Sequence, residues 1–450
     1  MSMPPGVISP LTTGLATATM VMPMHIVLLN DDALPSARGG AAVVVEHLRR
    51  SYRKLGHEVT LVTVHGEEGG IREENDGIGR IFAVPARYDR RRRHRHCVSP
   101  SAPVLGRIAA VLRECKPDAV HAHNLHEFLT YGALRAARAH TERLILTAHD
   151  TFLVSFGRVR GPAFEGDTLA GRPHRMRLRE HFEAAGRRYW PLRNYLIRKI
   201  LHETGTQVIS ISDALRDFLN ANGIPETVTI HNGTEVLPPV PDTEVAAFRK
   251  EKKLNDMVIL YGGRMSEDKG SAALLAAFCQ VRKRCPQAQL LLAGDPERIT
   301  PLLERLPTEE REGMVPAGWL TREQMRLAYA ASTVATTPSL YLDPFNLMNI
   351  EAMAEGVPVV GTCFGGTPEI IVDGETGFVI NPRDTTGFAK HLITLLQDRG
   401  KAREMGERGR QRVQDNFSID AQTTAYLDLF HEPKRGFVCG EQSRTTNPCC

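Results

Sequence analysis

No apolar run in the chain reaches the ~20 residues that a membrane-spanning helix needs, so no such span is expected. No CxxC pair is present either. The eight cysteines stand at 97, 115, 279, 285, 363, 439, 449 and 450, none at the spacing of zinc ligands. Neither a zinc site nor a disulfide framework is expected, and reduced thiols fit a cytoplasmic protein. A surplus of charge is missing too: 56 Lys and Arg nearly balance 52 Asp and Glu, leaving +4. That is too little for a general nucleic-acid binder. Residues 1–23 carry no Lys or Arg, so the basic start of a secretory signal is lacking. The GxxxxGK[ST] phosphate loop is absent, and Gly39-Gly40 do not form GxGxxG.

What is present is an ordinary globular mix, 42% apolar and 24% charged over 450 residues. That length suits a few domains at ~100–200 residues each. Strand and helix patterns alternate. Met24–Asn30 (MHIVLLN) is a continuous apolar run, the mark of a parallel strand buried on both faces. Further strands are predicted at His57–Val64, Ile81–Pro85, Ala119–Asn124, Arg143–His149, Gln207–Ser212 and Val228–Gly233. Pro238, Pro239 and Pro241 punctuate the chain. A second series follows at Met257–Gly263, Gln287–Asp295, Ser332–Pro338 and Val357–Thr362. Strands separated by helices imply βαβ units and doubly wound sheets. The predicted fold class is α/β, two Rossmann-like parallel-sheet domains facing a cleft. Residues 1–23 form a loose extension, 24–237 the first domain and 238–417 the second. A helix over 418–432 packs back on the first domain, and 433–450 is a disordered tail whose final Cys449-Cys450 is a candidate for lipidation.

In such sheets ligands bind beyond the carboxyl ends of the strands, and several chemically capable residues fall there. Asp343-Pro344-Phe345-Asn346-Leu347-Met348-Asn349-Ile350-Glu351 follows a strand and opens a helix. A helix N-terminus offers unpaired N–H groups and partial positive charge to a phosphate or diphosphate. Asp343 can reach forward over the bound group, and Glu351, two turns on, can accept both hydroxyls of a ribose. Gly262-Gly263-Arg264 with Lys269-Gly270 places two cations where they can converge on one dianion. Gly39 and Gly40, after the first strand, permit close backbone approach. His149-Asp150 and His123-Asn124 end strands of the first domain. Gly365-Gly366-Thr367-Pro368-Glu369 is a second glycine turn that can read an anion or a hydroxyl. Each segment alone also has a plain structural reading: a helix cap, solvated cations, a tight turn, a satisfied histidine.

Taken in order, these segments resemble the retaining nucleotide-sugar glycosyltransferases of family 4, with the GT-B fold, over roughly Met24 to Phe430. The ordered set includes Gly39-Gly40, His149-Asp150, Ser212–Leu219, Asn232-Gly233, Arg264 with Lys269, and the acidic pair Asp343 and Glu351. Asp343 stands where the family has a first glutamate, and Asn346 where it has a glycine. The resemblance implies that Glu351 holds the ribose. Arg264, Lys269 and the amides of Phe345, Asn346 and Leu347 hold the diphosphate, and Gly39 and Gly40 approach it from the first domain. Asp343 and His149 meet the donor sugar, and Val315–Leu320 lies near the base. His149, Asp343, Arg264 and Lys269 are the expected catalytic set.

The implied reaction moves a sugar from a nucleoside diphosphate to an acceptor hydroxyl, with retention, no cofactor and no metal. The implied partners are the nucleotide-sugar donor and a glycan or lipid-linked acceptor. Two basic segments bear on that acceptor: Arg90–His96, and the insert 151–205, whose Arg187, Arg188, Arg193, Arg198 and Lys199 mix with Tyr189, Trp190, Leu192, Tyr195, Leu196 and Ile200. A peripheral contact with the inner face of a membrane, or a phosphorylated acceptor, fits both. A sugar-nucleotide epimerase of the same fold and a non-catalytic relic are the alternatives.

Overall fold

The computed structural model describes residues 22–34, 39–66, 68–89, 91–100, 102–160, 166–167 and 169–431. Most of the extension expected over 1–23, the tail with its cysteine pair, and Arg90 lie outside the described residues. Eight strands make the first sheet: β1 (His25–Leu29), β2 (Glu58–His65), β3 (Arg72–Asn75), β4 (Arg80–Pro85), β5 (Ala119–Ala122), β6 (Arg143–Ala148), β7 (Gln207–Ser210) and β8 (Val228–Thr229). Their order is β3-β4-β2-β1-β5-β6-β7-β8, parallel except for β3 against β4. β1 is central, with Ile26 to Leu29 fully buried, as a strand covered by helices on both faces must be.

The second sheet has six parallel strands in the order β11-β10-β9-β12-β13-β14. They are β9 (Val258–Gly262), β10 (Gln289–Ala293), β11 (Met314–Gly318), β12 (Val334–Thr337), β13 (Val359–Thr362) and β14 (Gly377–Ile380). Three strands escape the hydrophobic pattern. β3 (REEN) is exposed throughout. β11 (MVPAG) carries a proline on an edge, and β14 has four residues. Val228–Gly233, expected as one strand, pairs only over Val228–Thr229. The remainder leaves the sheet to cross toward the second half.

That crossing ties the halves together. The amide of Thr234 donates to the Phe417 carbonyl at 2.9 Å, and the Ile419 amide returns to the Thr234 carbonyl at 3.1 Å. The Ile419–His431 helix then lies on the first sheet's Gly40–Lys54 helix. Tyr426 there joins a buried chain, with its hydroxyl 3.0 Å from Thr147 Oγ1, which meets His121 Nε2 at 2.8 Å. One apolar cluster spans both sheets, from Val27 and Leu215 to Val258, Phe345 and Phe417.

Gly233 is the tight point of the crossing. A Cβ there would lie 2.5 Å from the Ser418 carbonyl oxygen, where backbone has no room to yield. Gly233→Ala should therefore cost about 1–3 kcal/mol, read as a lower thermal midpoint. An unchanged midpoint would show that the crossing tolerates separation.

Candidate active site

The carboxyl ends of β9 and β12 bring together residues that are 74 positions apart in the chain. Lys269 Nζ donates to Asp343 Oδ2 at 2.8 Å, with side chains 19% and 5% exposed. Ser339 Oγ at 2.7 Å and Asn346 Nδ2 at 3.2 Å donate to the same oxygen. Burial pushes the Asp343 carboxyl up, but Lys269 and the two neutral donors outweigh it and hold it below the carboxylate range. Burial likewise opposes the Lys269 charge, and Asp343 more than reverses this. The sequence reading had Lys269 and Arg264 converging on an anion and Asp343 reaching toward a sugar. Lys269 and Asp343 instead hold each other, leaving Oδ1 without a hydrogen bond from any described side chain. Arg264 stays exposed. Its charge is disfavoured by partial loss of water around it and by nearby Arg158.

The two departures from the family pattern touch each other. Asn346 caps the Leu347–Ala354 helix, its Oδ1 accepting the Met348 amide at 3.2 Å, while its Nδ2 reaches Asp343. Among the described residues no acceptor meets the amides of Phe345, Asn346 or Leu347. The Gly40–Lys54 helix likewise starts with no capping side chain at Gly39. The two helix starts abut, since a Cβ on Gly40 would lie 3.3 Å from Leu347 Cδ1, whereas Gly39 faces open space. One positive helix end from each sheet thus lies beside the other. Deeper in, Glu351 is raised by burial, with Tyr329 donating to its Oε2 at 2.8 Å. Val315–Leu320 forms edge strand β11 and the turn carrying half-exposed Trp319.

On the first sheet, β5 and β6 end in a histidine stack. His123 Nδ1 lies 2.9 Å from His149 Nε2, with ring centroids 5.2 Å apart. Burial lowers His149 to about 4 and His123 well below its ordinary range, so both rings are neutral near pH 7. Burial raises the neighbouring Asp150 to about 6. A cavity of about 530 Å³ opens beyond β4, lined by Pro85, Arg87, Asp89, His96 and Arg107 among others.

The second glycine turn departs from its expected role. Gly365 (φ +71°) packs under Asp343: a Cβ there would lie 2.0 Å from the Asp343 carbonyl. Glu369 is engaged within the protein. Its two oxygens accept the amides of Asp213 and Ala214, each at 2.8 Å, capping the Asp213–Ala221 helix across the domain boundary. Asp213, His231 and Glu369 lie close enough to suggest a cation site, but these amide donors already occupy the Glu369 oxygens.

The basic insert divides between core and surface: Arg187, Arg188, Arg198 and Lys199 are exposed and Arg193 is buried. In the Leu192–Thr204 helix Arg193, Ile197, Ile200 and Leu201 are buried, while Leu192 and Tyr195 remain exposed. In the Arg90–His96 run, His94 is buried and Arg93 lies 4.4 Å from the Phe156 ring centroid. Sequence reasoning did not single out Ser339, Tyr329, Arg158 or Asp268. Only their folded neighbours reveal them.

Residues 38–236 match the model described as Glycosyltransferase Family 4, and residues 242–412 match Glycosyl transferases group 1. A glycogen synthase of Mycobacterium tuberculosis is 23% identical over 92% of this chain and 96% of its own. An alpha-maltose-1-phosphate synthase of Mycolicibacterium smegmatis is 31% identical over 48% of this chain and 60% of its own. A sucrose-phosphate synthase structure from Thermosynechococcus elongatus superposes with TM-score 0.69 at 22% identity, covering 90% of this chain and 98% of that one. The fold is therefore GT-B.

The histidine pair carries a pH signature. Because the His149 pKa is about 4 when folded and about 6.5 when unfolded, the unfolded chain binds more protons between those values. Stability is full above about pH 6.5 and falls as pH drops toward 4. Between pH 7 and pH 5 this group should account for about 1–2 kcal/mol of lost stability, and His149→Gln should lose correspondingly less in urea titrations. Parallel pH slopes for parent and variant would contradict the neutral-pair assignment.

Proposed function

Because this chain belongs to the family 4 glycosyltransferases of the GT-B fold, we propose that its donor is a nucleoside diphosphate sugar and that transfer to an acceptor hydroxyl retains the anomeric configuration. The observation that carries this reading is the meeting of two helix starts beside the Lys269–Asp343 pair: the one at Gly40 has no capping side chain, and at the one at Leu347 the amides of Phe345, Asn346 and Leu347 meet no acceptor among the described residues. Two positive helix ends packed together repel one another, and a diphosphate between them turns that repulsion into binding. As the bond to the sugar breaks, charge grows on the leaving diphosphate. Arg264, Lys269 and the amides of Phe345 to Leu347 stabilise it without needing a metal.

In this reading Glu351, with Tyr329 on one oxygen, accepts from the ribose. Asp343 uses its Oδ1 on a donor-sugar hydroxyl, and neutral His149 faces the sugar from the first sheet. No side chain is required as a covalent nucleophile: the departing phosphate takes the acceptor proton as the hydroxyl attacks from the same face. Closure of the halves keeps water from the donor.

The acceptor enters from the first sheet. Arg87 and Arg107 at the cavity beyond β4 support an acceptor that carries a phosphate, free or attached to a glycan or lipid. Exposed Leu178, Phe182, Leu192 and Tyr195, set among arginines in the insert, support a peripheral contact with an anionic membrane. No helix among the described residues is long and apolar enough to cross one.

Thermal-shift titration with UDP, GDP, ADP and their sugar conjugates tests the donor site. One nucleotide should stabilise the parent selectively. Arg264→Ala, at an exposed position, should keep the parent midpoint and lose that response. Lys269→Ala should lower turnover by a factor of about 10²–10³, with some loss of stability because Asp343 is left buried and unpaired. A full nucleotide response in Arg264→Ala would overturn the assignment. For the membrane contact, the protein should co-sediment with phosphatidylglycerol vesicles but not with phosphatidylcholine alone. Equal recovery from both would remove the electrostatic contribution.

A further inference from the structure

The loop after β6 crosses from the first sheet to the second at the cations of the donor site. Arg158 Nη1 donates to Asp268 Oδ2 at 2.6 Å, and Arg160 Nη1 lies 2.7 Å from the other Asp268 oxygen. Between these arginines, the Val159 carbonyl accepts the Leu342 amide at 3.0 Å. Leu342 directly precedes Asp343, and Asp268 directly precedes Lys269. The crossing segment is therefore fastened at both members of the buried ion pair.

Arg158 is more than a fastener in its placement. Its guanidinium lies 4.8 Å from the Tyr341 ring centroid, and the Lys269 ammonium lies 5.1 Å from the same centroid. It is also close enough to Arg264 to disfavour that residue's charge. Three cations thus gather round Tyr341, one of them supplied by the opposite sheet. Cations outnumber carboxylates here: Arg158 and Arg160 share Asp268, Lys269 holds Asp343, and Arg264 lies near Arg158 with no ion pair among the described residues. That surplus of positive charge suits the anionic diphosphate of a nucleoside diphosphate sugar. An arginine has five N–H donors, and the hydrogen bond to Asp268 uses one, from Nη1.

We propose that Arg158 is a third cation of the diphosphate site, contributed by the first sheet and held ready by Asp268, so that donor binding is sensed by both halves. This rests on the donor reading above. Asp268 acts as a positioning residue: it keeps the guanidinium at the site's edge, stacked on Tyr341, so that little side-chain freedom is lost when phosphate arrives. A plain interdomain tether would instead stabilise the fold without regard to phosphate number.

The test compares nucleoside diphosphate with nucleoside monophosphate of the same base, by thermal-shift titration of the full chain. The variants are Arg158→Gln, Arg158→Lys and Asp268→Asn. In Arg158→Gln the diphosphate affinity should fall tenfold or more, while the monophosphate affinity stays within about twofold. Arg158→Lys, which keeps charge but loses the fork, should fall between parent and Arg158→Gln. Asp268→Asn should weaken diphosphate binding less than Arg158→Gln does. If Arg158→Gln lowers the midpoint but leaves the diphosphate-to-monophosphate ratio at the parent value, Arg158 is only a tether and the proposal fails. If Arg158→Gln does not fold, the ratio in Arg158→Lys decides on the same terms. A parent that binds no nucleoside diphosphate from UDP, GDP and ADP removes the donor reading itself, and this proposal with it. A parent that binds while the ratio stays fixed removes this proposal alone.

Discussion

A lysine and an aspartate, both nearly out of water, meet at 2.8 Å where the second sheet ends. Bringing two charges to such a place costs several kcal/mol each, repaid only when geometry and extra hydrogen bonds are good. Much of the surrounding structure serves that condition. Ser339 and Asn346 donate to the same carboxylate oxygen. Gly365 gives up its side chain so that its backbone can pack under Asp343, and the Gly366 amide donates to the Asp343 carbonyl at 2.9 Å. Tyr341 presents its ring to Lys269. The pair does not merely stabilise the fold. It places a fixed cation beside two helix starts and beside the segment that crosses from the other sheet.

The crossing contacts explain why the halves face one another in one register. The Phe417–Ile419 hydrogen bonds to Thr234 lie at the hinge side, and the Glu369 cap on the Asp213–Ala221 helix lies further along. Arg158 and Arg160 on Asp268 lie at the donor cations. These contacts are polar, and the two near the site use charges. Such contacts can be exchanged for ligand contacts at modest cost, whereas the apolar cluster beneath them cannot. The arrangement suits an enzyme that must open for substrates and close to exclude water.

Asp343 and Asn346 belong together physically. The Asn346 amide donates to the acid while its oxygen caps the helix that follows. In the sequence these read as two separate departures from a family pattern. In the fold they are one hydrogen-bonded unit at the start of the Leu347–Ala354 helix.

Read alone, the sequence determined the rhythm of strands and helices and, through it, the two parallel sheets. Long apolar runs such as HIVLL and VILYG must be buried on both faces, and that requirement is local enough to be legible. β3 and β11 were not legible, because an exposed charged edge and a proline edge bury too little to leave a pattern, and the buried β14 (GFVI) is too short between Gly374 and Pro382 to stand out from the turns around it. The order of the glycine turns, strand-end histidines and acidic pair pointed to the family. The sequence did not say which charges pair. Lys269 with Asp343, Arg158 with Asp268, and Glu369 with the Asp213 amide join residues 74, 110 and 156 positions apart. Only sheet order and the meeting of the two halves bring such groups within 3 Å, and burial at those places then sets their charge. Tertiary structure alone therefore decided that Lys269 of the sequence motif is held by Asp343, and that Arg158 of the opposite sheet is held beside it by Asp268.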